Sequence, residues 1–199
     1  MKKLASATLV LTIACAGTAR SGETQVYGKL GVNVNGDYSG FSGPDRLLYH
    51  AGVDFRLTDL VSLGPELKYQ HRKWHEEYFW HGAKNIRETI SNNYQLFANV
   101  TYTPRPKSQA VAAHIGAGIG VDHVNVSNTY QLEGAPYGYD SFQVSSTKVA
   151  WHAFGGVRLW KHLVAECEVS RMSRPIVHTL TDVSFDGSLA VQMTIGLRL

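Results

Sequence analysis

The last twelve residues, SLAVQMTIGLRL, alternate without a break. Leu189, Val191, Met193, Ile195, Leu197 and Leu199 are large and apolar, and the residues between them are small or polar. A period of two describes a strand with two unlike faces. Such a chain has two options. It turns the apolar face inward, as a soluble sandwich or barrel, or outward, toward lipid.

The pattern recurs through the chain. It predicts eight strands, at Thr24 to Gly36, Arg46 to Thr58, Leu63 to His75, Thr89 to Thr103, Ala110 to Val124, Lys148 to Trp160, Leu163 to Met172 and Phe185 to Leu199. No helical period and no repeat of useful length intervenes. The connectors DLVS, PRPKSQ and KH are short, and they alternate with the longer DYSGFSGPD, EEYFWHGAKNIRE, NVSNTYQLEGAPYGYDSFQVSST and SRPIVHTLTDVS. Short turns at one end and long loops at the other describe an up-and-down antiparallel barrel. An even count of eight is the smallest number used by barrels that span outer membranes.

The two faces decide which solvent the apolar one meets. One face carries sets such as Val111, Ala113, Ile115, Ala117, Ile119 and Val121, with no charge among them. The other mixes glycines with charges: His114, Gly116, Gly118, Gly120 and Asp122 in one strand, His152, Phe154, Gly156 and Arg158 in another. A water-facing sheet gains nothing from glycine, which weakens a strand and packs nothing. The narrow interior of an eight-strand barrel needs both, because large polar groups fit only beside small ones. Buried charges persist only when paired. Arg56, Lys68, Arg72, Arg158 and Arg198 are therefore expected inside, paired with Asp54, Glu66, Glu166 and Glu168. The apolar face then points to lipid. Aromatics near both strand ends agree, with Phe55, Tyr102 and Trp160 at the short-turn end and Tyr49, Trp74 and Trp151 toward the other. Closure pairs the strand that ends at Leu199 with the one near Val26, which leaves no open edge.

Composition removes other classes. A net charge of +3 is too mild for a nucleic-acid binder, and no apolar run is long enough for a transmembrane helix. The N-terminus, MKKLASATLVLTIACAGTAR, has a basic head, a short apolar run and a small-residue tail. That is a secretory signal peptide, residues 1–19, cut after Ala19. Residues 20–199 form the barrel domain, which contains one cysteine, Cys167, and so no internal disulfide.

LGPELKYQ, AAHIGAGIGVDH and the closing MTIGLRL, together with the leader, resemble the small outer-membrane β-barrels of Gram-negative bacteria. The likeness is to the OmpA-transmembrane-domain and opacity-type surface-antigen group, whose barrels commonly end in Phe where Leu199 stands here. The resemblance implies a non-enzymatic protein of the cell outer membrane that presents surface loops. Its implied partners are outer-membrane lipid, lipopolysaccharide and the barrel assembly machinery. It also implies a monomer, a surface ligand reached through the loops, and no cofactor. The alternatives are a lipid A-modifying hydrolase barrel and a soluble periplasmic lipocalin-like carrier.

Two clusters invite chemistry. HRKWHEEYFWH brings His71, His75 and His81 near Glu76 and Glu77, but without the tight spacing of a metal site. His123 and Ser127 share strand parity and resemble the His and Ser of the deacylase barrels, one spacing too far apart. Neither set is taken as a site, so no catalytic, cofactor-binding or metal residue is assigned.

Overall fold

The computed structural model describes residues 24–34, 47–80, 83–104, 110–132, 139–160, 162–177 and 183–199. The signal-peptide reading and its cleavage after Ala19 lie outside the described residues. The strands are β1 (Thr24–Asn33), β2 (Leu47–Arg56), β3 (Val61–Trp80), β4 (Ala83–Tyr102), β5 (Val111–Leu132), β6 (Tyr139–Leu159), β7 (Leu163–Val177) and β8 (Val183–Arg198). Each pairs antiparallel with the next, and β8 returns to β1, so the sheet is a closed barrel. The expected closure is present: Val26 and Leu199 exchange backbone hydrogen bonds of 3.1 and 2.8 Å. Trp160 turns the chain from β6 to β7 with φ of 48°.

The apolar face points outward. Ile115 and Ile119 of β5, Val149 of β6, Met193, Ile195 and Leu197 of β8 and Leu30 of β1 are all more than half exposed. The opposite face is buried, and it is largely polar: Lys29, His50, Asp54, Glu66, Lys68, His114, His152 and Glu168 are each at most 6% exposed. No soluble barrel is built this way round, so the band faces lipid. On β5 the band runs from Val111 to Val121. At about 3.3 Å per residue and a tilt of about 40°, that covers roughly 25 Å, the height of an outer-membrane apolar band.

The strands run further than alternation predicted. The segments EEYFWHGAKNIRE, NVSNTYQLEGAPYGYDSFQVSST and SRPIVHTLTDVS are mostly strand rather than loop. β3 and β4 pair up to Trp80↔Ala83, β5 and β6 up to Gln131↔Tyr139, and β7 and β8 up to Val177↔Val183. The reason is a change of phase. Up to Val121 the apolar residues of β5 face out and the polar ones in. From Asp122 on, Val124 and Val126 face in and are fully buried, while His123, Asn125, Ser127 and Thr129 face out and are half-buried. β6 inverts in the same way: Phe142 and Val144 face in, and Ser141, Gln143, Ser145 and Thr147 are exposed. The backbone does not change; the solvent outside it does.

Above the band the wall divides. Among the described residues, β2 pairs with β3 only as far as Leu48↔Gln70, and β6 with β7 only as far as His152↔Ser170. Among the described residues, the outer parts of β3, β4, β5 and β6 thus form a four-stranded blade, and those of β7 and β8 form a hairpin. Asp122 of β5 joins the two by accepting a hydrogen bond of 2.5 Å from the Ser173 backbone N–H.

Candidate functional site: the barrel interior and the outer blade

The interior of the membrane-spanning part is one connected polar network. Glu66 of β3 is its hub. Its Oε1 lies 2.8 Å from His50 Nδ1. Its Oε2 accepts from Tyr27 Oη and Asn99 Nδ2, each at 2.8 Å, and from Lys29 Nζ at 3.4 Å. Lys29 also donates to Glu166 at 2.6 Å, and Glu166 in turn meets His114 Nε2 at 2.9 Å. Lys68 pairs with Glu168, lies 3.8 Å from Glu66 Oε1, and meets His152 Nδ1 at 2.8 Å. His152 completes the circuit through Asn99 Oδ1 at 2.7 Å. Nearer the short turns, Arg198 donates to Asp54 at 2.6 Å.

Strand parity explains this assembly. Lys29, His50, Glu66, Lys68, Asn99, His114, His152, Glu166 and Glu168 all sit at inward positions, and seven strands, β1 to β7, bring them together. The glycines make the room. A Cβ at Gly118 would land on Asn99 Oδ1 and His152 Nε2, and one at Gly116 would strike the Phe154 ring. Phe97 stacks on His152 at 4.2 Å and lies under the Lys68 ammonium at 4.7 Å.

The expected ion pairs are partly those observed. Lys68 pairs with Glu168 and Glu66, and Arg198 with Asp54, as their parity predicts. Arg56 does not belong to the cluster. It stands at the rim, half-exposed, with Asp59 of the β2–β3 turn at 3.5 Å and the carbonyls of that turn. Arg72 sits one level above the cluster and donates to Gln70 at 2.5 Å. Sequence reasoning underrated Lys29 and the three histidines. Their inward parity beside Glu66 and Glu166 was the available signal.

His50, Glu66 and Glu168 bring one potential ligand atom each within 4.8 Å of one another. The Lys68 ammonium already supplies a cation to both carboxylates of that trio, so the chemistry of the donor set is that of an ion-pair layer. Below it, a vestibule of about 430 Å³ opens at the short-turn end, lined among others by Asp54, Arg56, Asp59, Arg158, His162 and Arg198.

The two sequence clusters do not converge. His71 bonds to Asn92 Oδ1 at 2.9 Å, and His75 lies 3.3 Å from Glu77. His81 lies outside the described residues. His75 is four rises along the strand from His71, about 13 Å along one face, too far to share an ion. His123 faces outward and meets Thr147 Oγ1 at 2.8 Å. Ser127 is again four residues away, well beyond hydrogen-bond reach of His123.

The outer surface changes character at the band's upper edge. Tyr49, Tyr69 and Tyr94 form a row across β2, β3 and β4, with ring centroids 6.3 and 5.1 Å apart. This is the outer aromatic girdle expected at a lipid–water boundary. Trp74, expected in it, lies instead on the inward-facing side of β3 above the band, because its parity is that of Lys68 and Arg72. Beyond the girdle the charges pair with one another: Lys73 with Glu88 at 2.7 Å, Lys84 with Glu77 at 3.0 Å, and Arg87 with Glu76. The hydrogen bonds from Lys84 and His75 hold the exposed Glu77 carboxyl below its usual range.

No family model and no curated protein matches this chain. Solved structures do. The attachment invasion locus protein Ail of Yersinia pestis, in complex with the heparin analogue sucrose octasulfate, is 13% identical with a TM-score of 0.51 over 90% of this chain and 100% of its own. Neisserial surface protein A is 13% identical with a TM-score of 0.48, covering 90% of this chain and 99% of that one. The N-terminal β-barrel domain of Pseudomonas aeruginosa OprF is 14% identical with a TM-score of 0.42, covering 90% and 100%. The fold is that of the eight-stranded outer-membrane barrels. A closed ring with this outward band belongs in the outer membrane.

Proposed function

We propose that this chain is a non-enzymatic surface protein: a closed barrel that holds a four-stranded blade and a hairpin above the outer membrane as contact surfaces for other molecules. One observation carries the reading. The strands continue as ordered sheet well past the lipid band, and they turn a polar, Ser-, Thr- and Asn-rich face outward there. Side chains of that kind make adaptable hydrogen-bonding surfaces.

The interior is the plug of this scaffold rather than a route. An eight-strand barrel is just wide enough to be filled by side chains. Here the Lys68, Glu66, Glu168 and His152 layer fills it, each member at most 1% exposed. Lipid and lipopolysaccharide surround the band, and the barrel assembly machinery inserts it. The protein acts as a monomer because the ring leaves no strand unpaired within the membrane.

The test is reconstitution into liposomes, together with whole-cell protease treatment. The expected result is no osmotic swelling in small sugars, and cleavage above the lipid band on intact cells with the barrel core protected. Swelling comparable to that given by a porin would overturn the plug. Resistance of the part above the band on intact cells, with cleavage only after lysis, would overturn the surface display. The hydrolase alternative is answered by lipid A mass on overexpression: lost acyl chains would make the protein an enzyme despite the distance between His123 and Ser127.

A further inference from the structure

Between the ion-pair layer and the apolar lid of the outer blade lies a level where the interior chemistry changes. Asp122 of β5 and Gln95 of β4 stand directly opposite each other in register, and Asn93 lies two residues on along the same face of β4. Ser170 of β7 and Gln192 of β8 come from the far wall, where Gln192 Nε2 reaches Met172 Sδ at 3.2 Å. All five side chains are buried: Asp122 and Gln95 at 1% exposure, Asn93 at 4%, Ser170 and Gln192 at 0%.

Their polar atoms are not used up. Asp122 Oδ1, both polar atoms of Gln95, Asn93 Oδ1, Ser170 Oγ and Gln192 Oε1 are buried with no hydrogen-bond partner among the described residues. Asp122 Oδ2 accepts from the Ser173 N–H, and the Ser173, Gln95 and Asn93 side chains face the same carboxylate, but no cationic side chain among the described residues forms a salt bridge with it. A buried carboxylate without a compensating charge is costly, and buried amides without partners add to that cost. The level just below differs sharply, because there each carboxylate has an ammonium or an imidazole within hydrogen-bond distance.

The unused donor set has one chemical character. Its acceptors are oxygens: a carboxylate, a hydroxyl and amide carbonyls, with the amides free to turn oxygen inward. Thiol and imidazole are absent from it. Oxygen-only sets suit hard cations, Ca²⁺ above all, and disfavour transition metals. These groups are also shielded from water: Val124, Val126, Met172 and Leu48 are none more than 2% exposed, and Lys68 is 1% exposed.

We infer that the barrel holds one hard cation among these groups, bound by Asp122 with the oxygens of Gln95, Asn93, Ser170 and Gln192. The ion neutralises Asp122 and ties β4 and β5 to β7 and β8 at the height where the wall divides into blade and hairpin. It is thus a staple at the base of the surface-exposed part.

The test uses the whole folded chain in a lipopolysaccharide-free detergent, so that lipid-bound calcium does not contribute. The gel-shift midpoint on heating is read in CaCl₂, in NaCl, and in choline chloride at matched ionic strength, alongside metal analysis of the desalted protein. The expected result is a midpoint higher in Ca²⁺ or Na⁺ than in choline, and stoichiometric retention if the ion is Ca²⁺. Asp122→Asn abolishes the difference and weakens binding at least tenfold. Gln95→Met, close in shape but lacking the amide, weakens it without removing the charge, and serves if Asp122→Asn does not fold. A wild-type midpoint equal in all three salts, with no metal retained, overturns the inference and leaves ordered water among these groups. So does an Asp122→Asn or Gln95→Met protein that responds to the ions as the wild type does.

Discussion

The lower and outer halves of β5 and β6 are the same strands in two solvents. In the lower half the apolar side chains point out and a salt-bridged network fills the interior. In the outer half Val124, Val126, Phe142 and Val144 point in, and polar residues point out. Neither half shifts register, since β5 and β6 pair in unbroken register from Val111↔Leu159 to Gln131↔Tyr139. The comparison shows that inside and outside are not properties of a strand. Lipid removes the reason to hide apolar groups and creates a reason to hide charges, and water does the reverse.

That contrast can be broken most severely at Glu66. Glu66→Ala removes the carboxylate that serves Lys29, His50, Tyr27 and Asn99 and leaves buried cations under-compensated. Breaking a buried pair in this way costs about 3–5 kcal/mol. The expected outcome is a large fall in the urea midpoint of the barrel refolded into lipid vesicles. A change under 1 kcal/mol would mean that the network contributes little.

The next test sets one face of one strand against itself. Ile115→Arg places a charge in the middle of the lipid band and is expected to cost about 2–4 kcal/mol. Asn125→Arg, on the same outward face of β5 but above the band, is expected to cost under about 0.5 kcal/mol. Both are read from the same vesicle titrations. Equal costs would show that the band extends past Val121.

A smaller effect is expected inside the blade. Val126→Ala removes two methyl groups from a fully buried site and costs roughly 1–2 kcal/mol, the transfer term plus a small cavity. It should loosen the outer sheet, seen as faster proteolysis above the membrane, while the heat shift of the barrel stays. Loss of the heat shift would mean that blade and barrel unfold as one unit.

The least is expected on the surface. Glu88→Gln breaks the Lys73–Glu88 pair, which is 47% and 37% exposed on its two side chains. Exposed pairs contribute about 0–1 kcal/mol, less in high salt. A larger effect, persisting in high salt, would show that this face is covered in the folded protein.

Much of this architecture was legible in the residues. Eight alternating segments, unequal connectors and a glycine-and-charge face led to a closed barrel turned inside out, and the pairing of Leu199 with Val26 followed from closure alone. The outer halves of β3 to β6 were harder to see. A search for one continuous apolar face ends where the phase changes, at Val121 to Val124, and so it reads strand as loop. The candidate site was legible as a set of residue types but not as a set of partners. Parity put Lys68 and Glu168 inside, yet it could not say that Lys29 of β1 reaches across to Glu166 of β7.

The sequence by itself determined the period, and with it which residues share a face; a period of two is a local property of the backbone. Only the tertiary structure decided which groups meet across the lumen, because eight strands converge there from positions up to 144 residues apart, as in Arg198 with Asp54. It also decided which polar groups stay unpaired. The oxygens around Asp122 are invisible as a set in any single strand, since each is an ordinary inward polar residue until the barrel closes and brings no cationic side chain to meet the carboxylate.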